Sequence, residues 1–164
     1  MKQVTSFGKP PDNSIIMKGL DTVDYSDSYR IETESSETID AITTKMFRIT
    51  PLEKFLVTIR NGVVRFFGLK TDFGESNEAD YYPVGTKAVV FTVIDRNDNE
   101  IVMAENDKHL YFRTSMMLEV DGTRKGIYCT TLVKYNNRLG KMYFFVIKPF
   151  HKYLIKSSMK KTFG

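Results

Sequence analysis

The 164-residue chain has only two histidines, and each stands where chemistry is conceivable. His109 opens the run "HLYFR", in which Tyr111 and Arg113 follow at every second position. On a β-strand that spacing puts an imidazole, a phenol and a guanidinium on one face. Such a triplet could receive an anionic or carbonyl group, with Arg113 anchoring charge and His109 and Tyr111 exchanging protons. The structural alternative is the solvated or cross-strand-paired side of a half-buried strand.

His151 follows Pro149 and Phe150 inside a helical pattern. It could border a cavity at a proline kink, or it could lie among backbone groups and water. Asp107 with both histidines would make a metal set in composition. Asp107 and His109 fall at a hairpin corner, however, and His151 is remote in sequence, so no metal centre is expected. A nucleophile built on Cys129 or Ser115 with His109 and Asp107 is conceivable. Cys129 falls on the apolar side of its strand, where a thiol is usually inert. The chain lacks G-x-G-x-x-G, and no cofactor is expected.

The elements that must position these residues follow from periodicity. Residues 1–23, with Gly8, Pro10, Pro11 and Gly19, are expected to form an extended N-terminal arm, and residues 24–164 one domain. "DYSDSYRIET" reads as a strand with Tyr25, Tyr29 and Ile31 alternating. Ser35, Ser36 and Glu37 start a first helix carried to Phe47 by Ile39, Ile42 and Met46. "TPLE" is a capping box with proline at the first helical position, so a second helix is expected from Thr50 to about Phe67. Lys70–Gly85 is aperiodic and polar, a long loop suited to covering an opening.

From Thr86 the period becomes two. "TKAVVFTVID", "EIVMAE", "HLYFRTSMMLEV" and "KGIYCTTLVKY" form an antiparallel meander, with turns at "RNDN" and Asp121-Gly122. Leu110, Phe112, Met116, Leu118 and Val120 are assigned to the core face. Asn137 caps a final helix whose apolar stripe is read as Leu139, Met142, Tyr143, Val146, Phe150, Tyr153 and Leu154. Pro149 lacks the amide hydrogen that would bond the Phe145 carbonyl, so a kink is expected there.

The fold class is therefore α+β: a curved antiparallel sheet of about five to seven strands packed on a long kinked C-terminal helix, with two helices after the first strand. That order resembles the helix-grip fold of the START-like and birch-pollen-allergen-like superfamily, which implies an internal cavity between sheet and helix. "DYSDSY", "FFGLKT", "DKHLYFR" and "NNRLGKMYFFVIKPFHKYLI" resemble more closely the bacterial family known as domain of unknown function 2867. That resemblance implies no particular activity. Some of its members are fused to nucleotide-sugar-epimerase-like or short-chain-reductase-like domains, of which this chain carries no signal.

Composition sets the remaining bounds. One cysteine excludes an intramolecular disulfide and fits a reducing compartment. The N-terminus has no signal-peptide pattern, and no apolar run of about 20 residues exists, so a cytoplasmic protein is expected. The net charge of +4 conceals a division, because residues 122–164 hold ten Lys or Arg and no acid. This could mark an anionic membrane or an acidic protein as partner, or could complement the helix dipole and the acidic remainder of the chain. Nucleic acid is not expected, since the aromatics fall mainly on the core side.

The sequence thus points to a domain binding an apolar or amphipathic small molecule between sheet and final helix, lined by Phe91, Phe112, Met116, Tyr135, Tyr143, Phe150 and His151. The alternatives are a cyclase- or aromatase-like enzyme using His109, Tyr111 and Arg113, and an interaction module docking its basic helix on an anionic partner.

Overall fold

The computed structural model describes residues 2–48, 61, 65 and 77–164. The strands are β1 (Thr5–Phe7), β2 (Tyr25–Thr33), β3 (Lys87–Ala88), β4 (Phe91–Arg96), β5 (Glu100–Asn106), β6 (Leu110–Asp121) and β7 (Arg124–Tyr135). Two helices are described, α1 (Ile39–Phe47) and α2 (Arg138–Phe163). All seven strands join one antiparallel sheet in the order β1-β2-β7-β6-β5-β4-β3. The class is α+β, with a short helix after β2 and a long C-terminal helix. Most of the expected second helix lies outside the described residues; Asn61 and Arg65, which fall within it, are helical.

The long hairpins carry the sheet. Asp121 pairs with Arg124, leaving a two-residue turn in which Gly122 takes φ +59°, a left-handed conformation that glycine adopts without steric cost. At the β4–β5 turn the Asn97 side chain accepts hydrogen bonds from the Asn99 and Glu100 amides. The expected first meander strand is instead two strands. Val89 turns the chain at φ +58°, held by paired backbone hydrogen bonds with Asn77, and β3 folds back on β4. Nothing in the local alternation signals this, because valine is a poor residue for that conformation.

α1 starts three residues later than its serines suggest. Thr38 Oγ1 accepts from the Ala41 amide and so caps the helix, while Ser35 is used in a turn with Glu37. α1 and α2 cover one face of the sheet. Ile31, Ile101, Met103, Met116, Ile127 and Cys129 meet Ile39, Ile42, Met46 and Met159 there, all at least 96% buried. Burying each large aliphatic side chain contributes about 1.5–3 kcal/mol.

The other face is covered by residues 15–23. Ile15, Ile16, Leu20 and Val23 pack on Ile94, Val102 and Leu132. The N-terminal arm is thus a third layer, and its β1 extends the sheet beyond β2. Among the described residues no helix is long and apolar enough to cross a membrane.

α2 presents a different face from the expected stripe. Gly140, Phe144, Ile147, Ser158 and Met159 are buried, whereas Met142 and Tyr153 are more than half exposed. Docking at the helix start decides the rotation. Asn137 Oδ1 accepts from the Gly140 amide, and Gly140 sits so close to the His109 carbonyl oxygen that a Cβ would collide with it. "MYFF" offers aromatics in every direction, so apolar spacing alone could not choose the face.

Candidate functional site

The His109, Tyr111 and Arg113 triplet does not form one site. His109 lies in the β5–β6 turn, where its Nδ1 meets the Asn137 side chain, and its backbone carbonyl accepts from the Asn136 amide. It serves the docking of α2. Tyr111 and Arg113 lie on the sheet face opposite the helices, beneath the N-terminal arm. Arg113 Nη1 donates to the Ile16 and Lys18 carbonyls at 2.8 and 2.7 Å, and its Nε donates to the Tyr111 hydroxyl at 2.8 Å. The guanidinium is thereby committed to holding the arm.

Buried Glu100 performs the matching task, accepting from Ser14 Oγ at 2.5 Å and the Ile15 amide at 2.8 Å. Between arm and sheet an open cleft of about 490 Å³ remains, bounded by Lys18, Asp95, Tyr111 and Arg113 among others.

The helix face of the sheet holds a polar cluster that sequence reasoning missed. β2 alternation directs Tyr25, Asp27, Tyr29 and Ile31 to one side, and Asp27 is only 4% exposed. Its Oδ2 accepts from the Tyr25 hydroxyl at 2.5 Å and the Tyr29 hydroxyl at 3.2 Å. His151 Nε2 on α2 stands 3.4 Å from the same oxygen. The His151 ring is boxed by Tyr25 and Phe144, with centroids 6.4 and 6.3 Å away. "DYSDSY" and "PFH", distant in sequence, meet here.

Three buried side-chain atoms of this cluster have no hydrogen-bond partner: Asp27 Oδ1, Thr131 Oγ1 and His151 Nε2. Thr131 is the cross-strand partner of Asp27 and is 1% exposed. Buried polar groups are nearly always paired, so these three atoms are the part of the cluster whose hydrogen bonding the fold itself does not account for.

Burial drives the Tyr25 phenol far above its ordinary range, reinforced by its hydrogen bond to Asp27. Burial likewise drives Tyr29 up, reinforced by the Asp27 charge and hydrogen bond. Both phenols therefore remain protonated donors. The arrangement offers a carboxylate oxygen, a hydroxyl and an imidazole to the polar group of a guest, in surroundings where hydrogen bonds are strong.

The chain matches the family model described as "Protein of unknown function (DUF2867)" over residues 20–158. The chain belongs to this family. No curated protein and no solved structure matches it.

In this DUF2867 member the expected cavity residues divide. Met116 is fully buried in the cluster shared with α1. Phe112, Tyr135 and Tyr143 pack around Val133, Phe144 and Ile147, beside Tyr25. Phe91 packs edge-on against Phe47, with centroids 5.5 Å apart, and meets Phe112 at the same separation. Phe150 is half-buried, and His151 is the member of the set that reaches Asp27. Cys129 is completely buried, and burial, aided by the Asp27 charge, pushes its thiol up to about 12, which removes it as a nucleophile.

Among the described residues no group of three or more His, Cys, Asp or Glu could hold a metal. The signal that could have found the cluster was Asp27 itself, an acid on the inward phase of an aromatic strand.

Proposed function

We propose that this DUF2867 domain binds an amphipathic small molecule between the sheet and α2, with its polar end received by Asp27, Thr131 and His151. The observation that carries the reading is the two buried oxygens on facing strands without a hydrogen-bond partner, Asp27 Oδ1 and Thr131 Oγ1, with the His151 imidazole 3.4 Å from the other Asp27 oxygen. The aromatic groups around Phe112, Tyr135, Tyr143 and Phe144 supply an apolar wall beside them. A cytoplasmic setting is part of the reading, supported by the single free thiol.

A second reading is acid–base catalysis on that guest, favoured by the carboxylate of Asp27 standing 3.4 Å from the imidazole of His151. An Asp-oriented histidine is a common proton-transfer unit. This moves the enzyme alternative from the triplet at His109 to the other face of the sheet.

Native mass spectrometry of freshly purified protein tests the binding reading. A small-molecule adduct is expected on the wild-type chain and is expected to be lost from folded Thr131→Val and His151→Leu variants. A wild-type chain without adduct, or an adduct untouched by both substitutions, would remove Asp27, Thr131 and His151 as the receptor.

A further inference from the structure

The solvent side of α2 differs sharply in composition from the side that meets the sheet. Phe144, Ile147, His151 and Met159 point to the sheet, so the opposite side carries Lys141, Met142, Phe145, Pro149, Lys152, Tyr153 and Lys160, all exposed, with exposed Lys156 at its margin, its ammonium over the Tyr29 ring. Phe145 is 78% exposed, Met142 56% and Tyr153 54%. These three account for three of the eight large exposed hydrophobic residues among the described part of the chain. Their concentration on one cationic helix face is the unusual feature.

No described carboxylate pairs with Lys141, Lys152, Lys156 or Lys160, and the segment from Gly122 onward contains none. We propose that this face of α2 docks on the surface of an anionic phospholipid bilayer, with Phe145, Met142 and Tyr153 entering the headgroup boundary and the lysines meeting lipid phosphates and carboxylates.

Charge complementarity and apolar exposure favour the same occupant. Lysines flanking an aromatic and a methionine match an interfacial helix, which buries its apolar side chains shallowly while its cations stay at headgroup level. A nucleic acid would satisfy the lysines through its phosphates but would give Met142 no apolar surroundings. The lysine stems can also lie along the apolar side chains and keep their ammonium groups at the interface.

Co-sedimentation with phosphatidylcholine vesicles, with and without phosphatidylserine, tests this. The wild-type chain is expected to sediment with the serine-containing vesicles and to stay in solution with phosphatidylcholine alone. Replacing Lys141, Lys152, Lys156 and Lys160 by Gln together is expected to weaken partitioning by at least about tenfold. Phe145→Ser, at unchanged charge, is expected to weaken it several-fold.

Lys141, Lys152, Lys160 and Phe145 face solvent and Lys156 gives up only its contact over the Tyr29 ring, so thermal melts close to the wild type are expected and are measured alongside. Failure of the wild type to bind, binding that survives the four glutamines, or indifference to Phe145→Ser would each overturn the proposal. Phe145-independent capture on an immobilised polyribonucleotide would assign the face to nucleic acid instead.

Discussion

Asp27 and Thr131 face each other across β2 and β7, each buried, and each keeps a side-chain oxygen without a partner. A protein selected for stability alone would not leave two such groups opposite one another. Thr131→Val removes one orphan hydroxyl at constant shape. It is expected to be neutral or to raise the free energy of unfolding by up to about 1 kcal/mol, while abolishing the adduct. Asp27→Ala strands the Tyr25 and Tyr29 phenols and is expected to cost about 1–3 kcal/mol for each. Urea denaturation of both variants separates the two cases.

Acid sensitivity should come from Asp40. Its carboxylate in the first turn of α1 accepts from Arg96 Nη1 at 2.8 Å, Arg96 Nη2 at 3.1 Å and the Tyr82 amide at 2.8 Å. Burial pushes this carboxyl up, but the Arg96 and Tyr82 hydrogen bonds and the Arg96 charge outweigh it and hold it below the usual range. A depressed carboxyl stabilises the fold fully above its unfolded value, about 3.9, and loses that contribution as pH falls through the lower folded value. Asp40→Asn is expected to flatten the acid limb of a plot of stability against pH. Arg96→Met leaves a buried carboxylate unpaired and is expected to cost about 3–5 kcal/mol near neutrality.

The N-terminal arm is held by polar contacts that can be cut singly. Arg113→Met removes the donors to the Ile16 and Lys18 carbonyls without touching the helix side of the sheet. Tryptic cleavage after Lys18 is expected to accelerate by at least about tenfold, since losing about 1.4 kcal/mol of local stability has that effect. Mass spectrometry of the digest should show peptides ending at Lys18 appearing earlier from the variant. Equal cleavage rates in variant and wild type would assign the arm's order to its apolar contacts.

The Cys129 thiol reports global opening. Completely buried and pushed up to about 12, it should react with an aromatic disulfide reagent only through unfolded chains. Its labelling rate is expected to fall with any ligand that stabilises the fold and to rise in Arg96→Met.

Where sequence sufficed, side-chain direction was set by a fixed period. Leu110, Phe112, Met116 and Leu118 share the helix face as alternation requires, whereas Val120, assigned with them to the core, is 55% exposed near the end of β6, and Asn137 caps α2. Tertiary contacts defeated the reading elsewhere. The rotation of α2 depends on one glycine fitting under the His109 carbonyl, and the break at Val89 depends on Asn77, twelve residues upstream. The candidate site escapes the sequence reading because His151 is weighed there by itself and Asp27 and Thr131 are not weighed at all. Asp27 marks a buried polar position by its phase alone, but that His151 joins it follows only from the packing of α2 on β2.

Both margins of the sheet end in very short strands. β1 has three residues and β3 has two, and each is laid against a longer neighbour. A long open strand is a template on which other chains can add, and proteins curb that hazard by keeping edge strands short. Deleting Met1–Phe7 would uncover Ser28, Tyr29 and Arg30, the middle of the nine-residue β2. The first few residues of this chain therefore act as a guard against lateral self-assembly.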